Sequence, residues 1–233
     1  MLLLLLLILI VILLLIWELW ICEGAHLGRR LVVWLYDIAA TRYDGIKQFD
    51  HDWERQFLGE PLQKILSDLP KARLLDVGAG TARTFRAISD TSLDHNDEDK
   101  VERSAGRLFV GIEPSSHMME LGRQKVGAEY KWVKGWAVPL PMSHGSIDVA
   151  VCVEILEFTP HPRQTIGEIL RVLRPGGWAL LTNRIGWQAP LILGRTVSRS
   201  RFPEYLRKLG FEQVEVFPWQ VDYDIAWARK PWK

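Results

Sequence analysis

The stretch Leu74-Leu75-Asp76-Val77-Gly78-Ala79-Gly80-Thr81 constrains the fold most, because an apolar strand there runs straight into a turn carrying two closely spaced glycines. Without a Cβ, such residues let the backbone take positive φ and let a ligand press against main-chain N–H groups. Thr81 and the residues after it are expected to open a helix whose first amides face the same space. A second apolar run ends in Gly111-Ile112-Glu113-Pro114. An ionised carboxylate at that strand tip suits two neighbouring ribose hydroxyls, since it accepts two hydrogen bonds at once. The pair reads as a cradle for a nucleoside cofactor.

What the turn lacks narrows the cofactor. A dinucleotide fingerprint places its third glycine where this chain has Arg83, and no Gly-Lys-Ser/Thr follows to make a Walker loop. Asp76, just before the turn, is a poor neighbour for phosphate and a good one for a cationic sulfonium or ammonium group. A nucleotide-dependent oxidoreductase is therefore disfavoured.

Around the cradle the pattern alternates. Strands are expected over 73–77, 108–112, 130–133, 147–153 and 178–183, with an antiparallel pair over 212–217 and 225–229. Helices are expected over 52–69, 81–88, 115–125, 163–173 and 203–209. This is an α/β chain with a doubly wound, mostly parallel seven-stranded sheet covered on both faces. Residues 90–106, with Asp94-His95-Asn96-Asp97-Glu98-Asp99-Lys100, read as a solvated surface insertion; they lack the glycine and closing glutamate of a calcium loop.

At this level the chain resembles the class I S-adenosylmethionine (SAM) dependent methyltransferases. Leu74 to Thr81 resembles their first motif, and Glu113 their ribose-binding acid. Ser146 to Phe158 resembles their fourth strand, and Leu173-Arg174-Pro175-Gly176-Gly177-Trp178-Ala179-Leu180-Leu181 the turn into the fifth. The likeness is to the methyltransferase type 11 group, which includes quinone-biosynthesis enzymes, and it spans roughly residues 71–230 in the expected order. It implies a Rossmann-like methyltransferase fold, SAM as methyl donor and a small-molecule acceptor. The implied cofactor contacts are Asp76, Gly78, Ala79, Gly80, Thr81, Glu113, Pro114, Ala137, Val138 and Glu154.

The resemblance breaks in two places. Relatives often carry Gly-Asp-Ala-Glu after the third strand, with the Asp reaching the adenine amino group. This chain has Gly135-Trp136-Ala137-Val138-Pro139, which leaves adenine to backbone contacts and apolar stacking. Relatives also often place His after Glu-x-x-Glu, whereas Glu154 and Glu157 are followed by Phe158, so no metal site is assigned.

Methyl transfer from a sulfonium asks the protein mainly to align the acceptor, exclude water and accept a proton where needed. Catalytic candidates are Glu154, Glu157 and Tyr43, the last sharing with Tyr36 a segment expected to fold over the cofactor. His51, His117, His144 and His161 show no ligand-pair or triad spacing and receive no role. The Asn/Asp-Pro-Pro-Tyr/Phe motif of nucleic-acid amino methyltransferases is absent. With 29 Lys+Arg against 28 Asp+Glu, a net charge of +1 also argues against a nucleic-acid partner.

The other loud feature is the N-terminus. Leu2 to Trp17 is unbroken apolar sequence and Leu19 to Cys22 extends it, with Glu18 as the lone charge; that length approaches the ~20 residues a bilayer core requires. A cleaved signal peptide fits less well, since Met1 runs directly into leucines and no A-x-A-like site follows. We therefore read residues 1–24 as a single-pass anchor, 25–70 as a juxtamembrane and cap segment, and 71–233 as the SAM-binding domain. Arg29, Arg30, Arg42 and Lys47 follow the span, which predicts a cytoplasmic catalytic domain. Leu31, Trp34, Leu35 and Ile38 fall on one helical face, suited to a membrane surface or to ordinary packing. Arg184, Arg195, Arg199, Arg201, Arg207 and Lys208, interleaved with Trp187, Leu191, Ile192 and Leu193, fall where the resembled family often covers its acceptor; the stretch suits a lipid-like acceptor or, equally, a solvated basic helix with its preceding loop. The alternative to a membrane-tethered methyltransferase is a silent SAM-binding-fold protein acting as a membrane-bound interaction partner.

Overall fold

The computed structural model describes residues 1–91 and 106–233. The acidic cluster read as an insertion lies outside the described residues.

Seven strands form one sheet in the order β3-β2-β1-β4-β5-β7-β6. They are β1 Arg73–Val77, β2 Leu108–Glu113, β3 Tyr130–Lys134, β4 Ile147–Cys152, β5 Leu173–Arg184, β6 Glu212–Gln220 and β7 Tyr223–Arg229. β1 pairs in parallel with β2 and β4, β2 with β3 and β4 with β5, whereas β7 runs antiparallel between β5 and β6. The order reverses at β1 and β4, which opens a crevice beyond their carboxyl ends.

Burial explains why these runs are strands. Every residue of β4 is buried, as expected of a central parallel strand covered on both faces. One apolar cluster holds Leu75, Val77, Ile112, Ala150, Ile166 and Leu181; a second holds Leu58, Leu62, Leu74, Val149 and Leu180. Adjacent residues such as Leu74 and Leu75 serve opposite faces, as the two-residue strand period requires.

The helices are α1 Leu2–Ile16, α2 Arg29–Ala39, α3 Tyr43–Lys47, α4 His51–Glu54, α5 Glu60–Ser67, α6 Arg83–Thr91, α7 Ser116–Lys125, α8 Pro162–Val172 and α9 Phe202–Lys208. Ser115 caps α7, its hydroxyl accepting from the Met118 amide at 3.1 Å. A π-turn over Arg55–Gly59 joins α4 to α5.

Several boundaries differ from the sequence expectation: the helix expected over 52–69 is divided into α4, a π-turn and α5, β6 runs on to Gln220, and β7 starts at Tyr223. The helix after the glycine turn starts at Arg83 rather than 81, because Ala82 sits at φ 65° and ends the turn in left-handed backbone. β5 begins at Leu173 rather than 178, with Leu173 opposite Ile147 ahead of a register shift. Arg174 is drawn there by the Asp148 carboxylate, 2.7 Å from its Nε.

At the N-terminus, α1 continues as a π-turn through Ile21. The resulting apolar helix, Leu2–Ile21, is long enough to cross a bilayer by length and composition. No residue of α1 is buried. Glu18 is buried instead of sitting at the surface: it accepts from the His26 amide at 2.8 Å and its other oxygen meets His26 Nδ1 at 2.9 Å.

Candidate functional site

At the carboxyl ends of β1, β2 and β4 lies a cavity of ≈ 330 Å³. Its floor is the glycine turn. Gly78 (φ 72°) needs its positive φ, and a Cβ there would collide with the Ile155 side chain. The Gly78 and Ala79 amides both donate to Ile112 O, at 2.8 and 3.0 Å, which fixes the turn against the tip of β2. Gly80, Glu113, Pro114, Ser115 and Met118 continue the wall, and Trp136, Ala137 and Val138 close one end.

Glu113 stands at the tip of β2 as expected, held by the Gly80 and Ser115 amides at 2.9 and 2.8 Å. Burial pushes its carboxyl up to about 7, against the pull of those two amides. The backbone thus aims the group, and a ligand hydroxyl pair has a defined acceptor to meet.

Of the residues named from the sequence, Gly78, Gly80, Glu113, Pro114, Ala137, Val138, Glu154, Tyr36 and Tyr43 line the cavity. Asp76, Ala79, Thr81 and Glu157 do not. Asp76, expected beside a cationic group, lies beneath the turn at 2% exposure and accepts from Tyr130 Oη at 3.3 Å. Burial raises its carboxyl to about 7. Gly111 makes that contact possible, since any Cβ on it would strike the Tyr130 ring. Ala79 packs into the core, and the Thr81 hydroxyl donates to Asp44 Oδ1 at 2.9 Å rather than facing the cavity. Glu157 points away: Tyr223 Oη donates to one of its oxygens, and burial raises its carboxyl above the usual range.

Glu154 lines the cavity but is fully engaged. Arg83 Nη1 reaches its Oε1 at 2.6 Å and Lys47 Nζ its Oε2 at 2.8 Å, while its amide, at φ 55°, donates to Thr182 Oγ1 at 2.7 Å. Burial alone would raise this carboxyl, yet the two cations outweigh burial and hold it below its ordinary value. Arg83 also pairs with Glu54 at 2.6 Å and lies between the Phe49 and Trp219 rings, 4.2 and 4.8 Å from their centroids. The residue that breaks the dinucleotide pattern is thus the hub of a buried ion network. Sequence spacing gave no sign of it, because its partners come from segments on both sides.

Tyr36 and Tyr43 do lie over the cavity, but the sequence showed neither the extent of the roof nor what holds it. Residues 29–48 cross the cradle as a strap: Arg29, Val32, Val33, Tyr36 and Tyr43 line the cavity from above. The strap is pinned by Asp37 to the Ser115 hydroxyl, by Asp44 to Thr81 and Lys125, and by Lys47 to Glu154. The Arg29 guanidinium lies 4.4 Å from the Trp136 ring centroid and donates to Val138 O at 3.3 Å. Trp136 and Val138, which depart from the family pattern, are the two residues that Arg29 grips. Burial raises the Tyr43 phenol to about 12 despite nearby Lys47, so it keeps its proton and can donate a hydrogen bond.

The basic cover is tied inward more than expected. Arg184 pairs with Glu23, Arg195 donates to Thr159 O and Ala25 O, and Arg199 pairs with Asp224. Glu18, Cys22 and His26 bring three metal-capable atoms within 4.8 Å of one another, yet each is already hydrogen-bonded within the chain.

Fold and crevice together define a nucleoside-cofactor enzyme of the doubly wound kind. Residues 75–181 match the methyltransferase domain family, and the chain carries a class I SAM-dependent methyltransferase domain. It is 31% identical over 170 residues to an uncharacterized methyltransferase of Mycobacterium avium, covering 66% of this chain and 60% of that one. A Mycobacterium ulcerans relative is 30% identical over 118 residues, covering 50% and 40%. The match thus spans about half the length of these curated relatives. Among solved structures, a SAM-dependent methyltransferase from Thermotoga maritima superposes with TM-score 0.57 at 18% identity over 84% of this chain and 97% of that one. The [4+2]-cyclase SpnF superposes with TM-score 0.62 at 20% identity over 88% and 96%.

Proposed function

We propose that the chain is a membrane-tethered methyltransferase that moves the SAM methyl group to a small hydrophobic or amphiphilic acceptor, with its catalytic domain on the cytoplasmic side. The observation that carries this reading is the amide-aimed Glu113 carboxylate facing a glycine floor across one cavity. The cradle fits SAM: Glu113 would take the ribose hydroxyls, and Trp136, Ala137 and Val138 would flank the adenine. Bound there, SAM supplies an electrophilic methyl group that needs no further activation.

The chain's own residues then shape the acceptor step. Val32, Val33, Ile155 and Phe158 give the cavity an apolar wall that excludes water and suits an apolar acceptor. Tyr43 can donate a hydrogen bond to the acceptor, and Glu154, paired with two cations, is a weak base. Such a site favours an acceptor atom that arrives with a free lone pair, or one whose proton leaves to solvent. Residues 1–24 would tether the domain, 25–70 would cap it and 71–233 would hold the cofactor.

A second reading has one specific support. With Glu154 saturated, proton transfer in the cavity is left to few lining groups, Glu113 and His161, the latter given no role from the sequence, and a cyclase among the structural neighbours shows that this fold does not fix a reaction. A silent or non-methylating protein would bind SAM without consuming it. Full-length protein in lipid nanodiscs, titrated with SAM and with NAD, is expected to bind SAM alone, and Glu113→Ala is expected to weaken that binding about 10–100-fold through lost charged hydrogen bonds. Labelled methyl should then enter the lipid phase of a membrane extract. SAM binding with no transfer favours the silent protein; no SAM binding overturns both.

A further inference from the structure

Helix α2 has two faces. Val32, Val33 and Tyr36 look into the cavity, while Trp34 and Ile38 on the opposite side are 57% and 60% exposed. We propose that this outer face, together with the 187–193 loop, is seated in the headgroup layer of the bilayer, so that the acceptor reaches the cavity from the membrane surface. The inference rests on the tethered reading above and adds to it a docking surface and a route of entry.

Three observations name a lipid surface as the partner. First, continuity: only residues 22–28 separate the apolar helix from α2, and they fold into a tight turn in which Gly24 N donates to Glu18 O at 3.0 Å and Ala25 N to Cys22 O at 2.9 Å. Leu31 and Leu35 pack over Gly24. Wherever the span leaves the bilayer, α2 starts within one side-chain layer of that point.

Second, the 187–193 loop is bolted to the same turn. Trp17 Nε1 donates to Leu191 O at 3.1 Å, and His26 Nε2 lies 3.0 Å from Leu193 O. Loop and α2 are thereby held beside the base of the span, and the loop leaves Trp187 69% and Leu193 63% exposed.

Third, the chemistry is interfacial. Trp20, Trp34 and Trp187 are exposed, and tryptophan favours the headgroup level, where an apolar ring and a polar N–H are both satisfied. Arg30 at the start of α2 and Arg42 in the turn after it are exposed and have the sign that anionic headgroups attract. A soluble protein partner would not require that these side chains cluster at the foot of a twenty-residue apolar helix.

The route follows from the packing. Phe158, which lines the cavity, belongs to the same apolar cluster as Cys22, Ala25, Val32 and Ile192. The wall of the reaction chamber and the base of the span therefore share side chains. An amphiphile lying in the bilayer surface would meet this cluster before it met bulk water.

The test uses the full chain in phosphatidylcholine vesicles. Cys22 and Cys152 are buried, so an environment-sensitive nitrobenzoxadiazole label on Trp34→Cys, Ile38→Cys or Trp187→Cys reports that position alone. Ile10→Cys reports the span, and Lys131→Cys, exposed on the far edge strand, reports water. Headgroup-level nitroxide lipids are expected to quench positions 34, 38 and 187 by about twofold or more, with position 131 little changed and position 10 quenched only by deep nitroxides. If position 10 is deep while 34, 38 and 187 behave like 131, the docking proposal is wrong and the tether stands. If position 10 itself stays in water, tether and docking both fall.

Discussion

The cradle and the strap enclose the same cavity by opposite means. The cradle is backbone: strand tips, a positive-φ turn, and amides that aim Glu113. The strap over residues 29–48 is held by side-chain charge, with Asp37, Asp44 and Lys47 each reaching across to a different element of the cradle. Backbone-built sites are easily kept rigid, because their hydrogen bonds come with the sheet. Charge-pinned segments can let go, since each pin is a local contact whose loss leaves the sheet intact. On the proposed function, the contrast assigns cofactor binding to the cradle and its release to the strap.

That division can be broken most severely at Arg83, which shares Glu154 with the strap's Lys47. Arg83→Met would leave Glu54 and Glu154 buried without this partner, and urea unfolding of the solubilised chain is expected to show a loss of about 3–5 kcal/mol. A loss below about 1 kcal/mol would mean that the network is solvated and the strap is not tied in through it.

The next largest effect is on pH. Asp76 and Glu113 carry folded values of about 7 against ordinary values of 3.8 and 4.5, so between those limits the fold holds protons that the unfolded chain has released. Stability should therefore be full below about pH 4 for these groups and decline as pH rises toward about 7, by up to about 1.4 kcal/mol per pH unit for each. Glu154 and Asp44, both held low, act in the other direction only as pH falls below their ordinary values. Asp76→Asn should flatten the decline measured between about pH 5 and about pH 7.5. An unchanged slope would show that Asp76 is ionised in the fold.

Lys47→Met sharpens the comparison further, because Glu154 keeps Arg83 and only the strap loses a pin. Stability is expected to fall by about 1 kcal/mol, with SAM dissociating several-fold faster in stopped-flow while Glu113 still sets the ribose contact. Equal rates would place the pin outside the release step. The smallest effect is expected at Ala82, buried at φ 65° where glycine is unstrained. Ala82→Gly should raise stability by less than about 1 kcal/mol, read from the thermal midpoint, and a fall would show that its methyl packing outweighs the backbone strain.

Much of the cradle was legible because its signals are local. Leu74 to Thr81 announces a buried strand and a turn, Glu113 sits at the end of its own apolar run, and the alternation of strand and helix leaves few topologies open. Sequence and structure part where a local pattern meets a distant partner. Asp76 looked free to face a cation, yet the Tyr130 ring crosses Gly111 to claim it. Glu154 looked free to face the reacting centre, and Lys47 and Arg83 pair with it from two different segments. Leu31, Trp34, Leu35 and Ile38 were seen as a stripe, whereas the side of α2 that builds the cavity is Val32, Val33 and Tyr36.

The sheet, the glycine floor, a carboxyl at the tip of β2 and an apolar helix long enough to cross a membrane could all be read from the chain alone, because each is written in residues a few positions apart. The tertiary structure alone decided which charges are spent on one another and how the roof is pinned over the cavity. Those outcomes depend on contacts such as Lys47 with Glu154, 107 residues away, and no periodicity records a pairing at that distance.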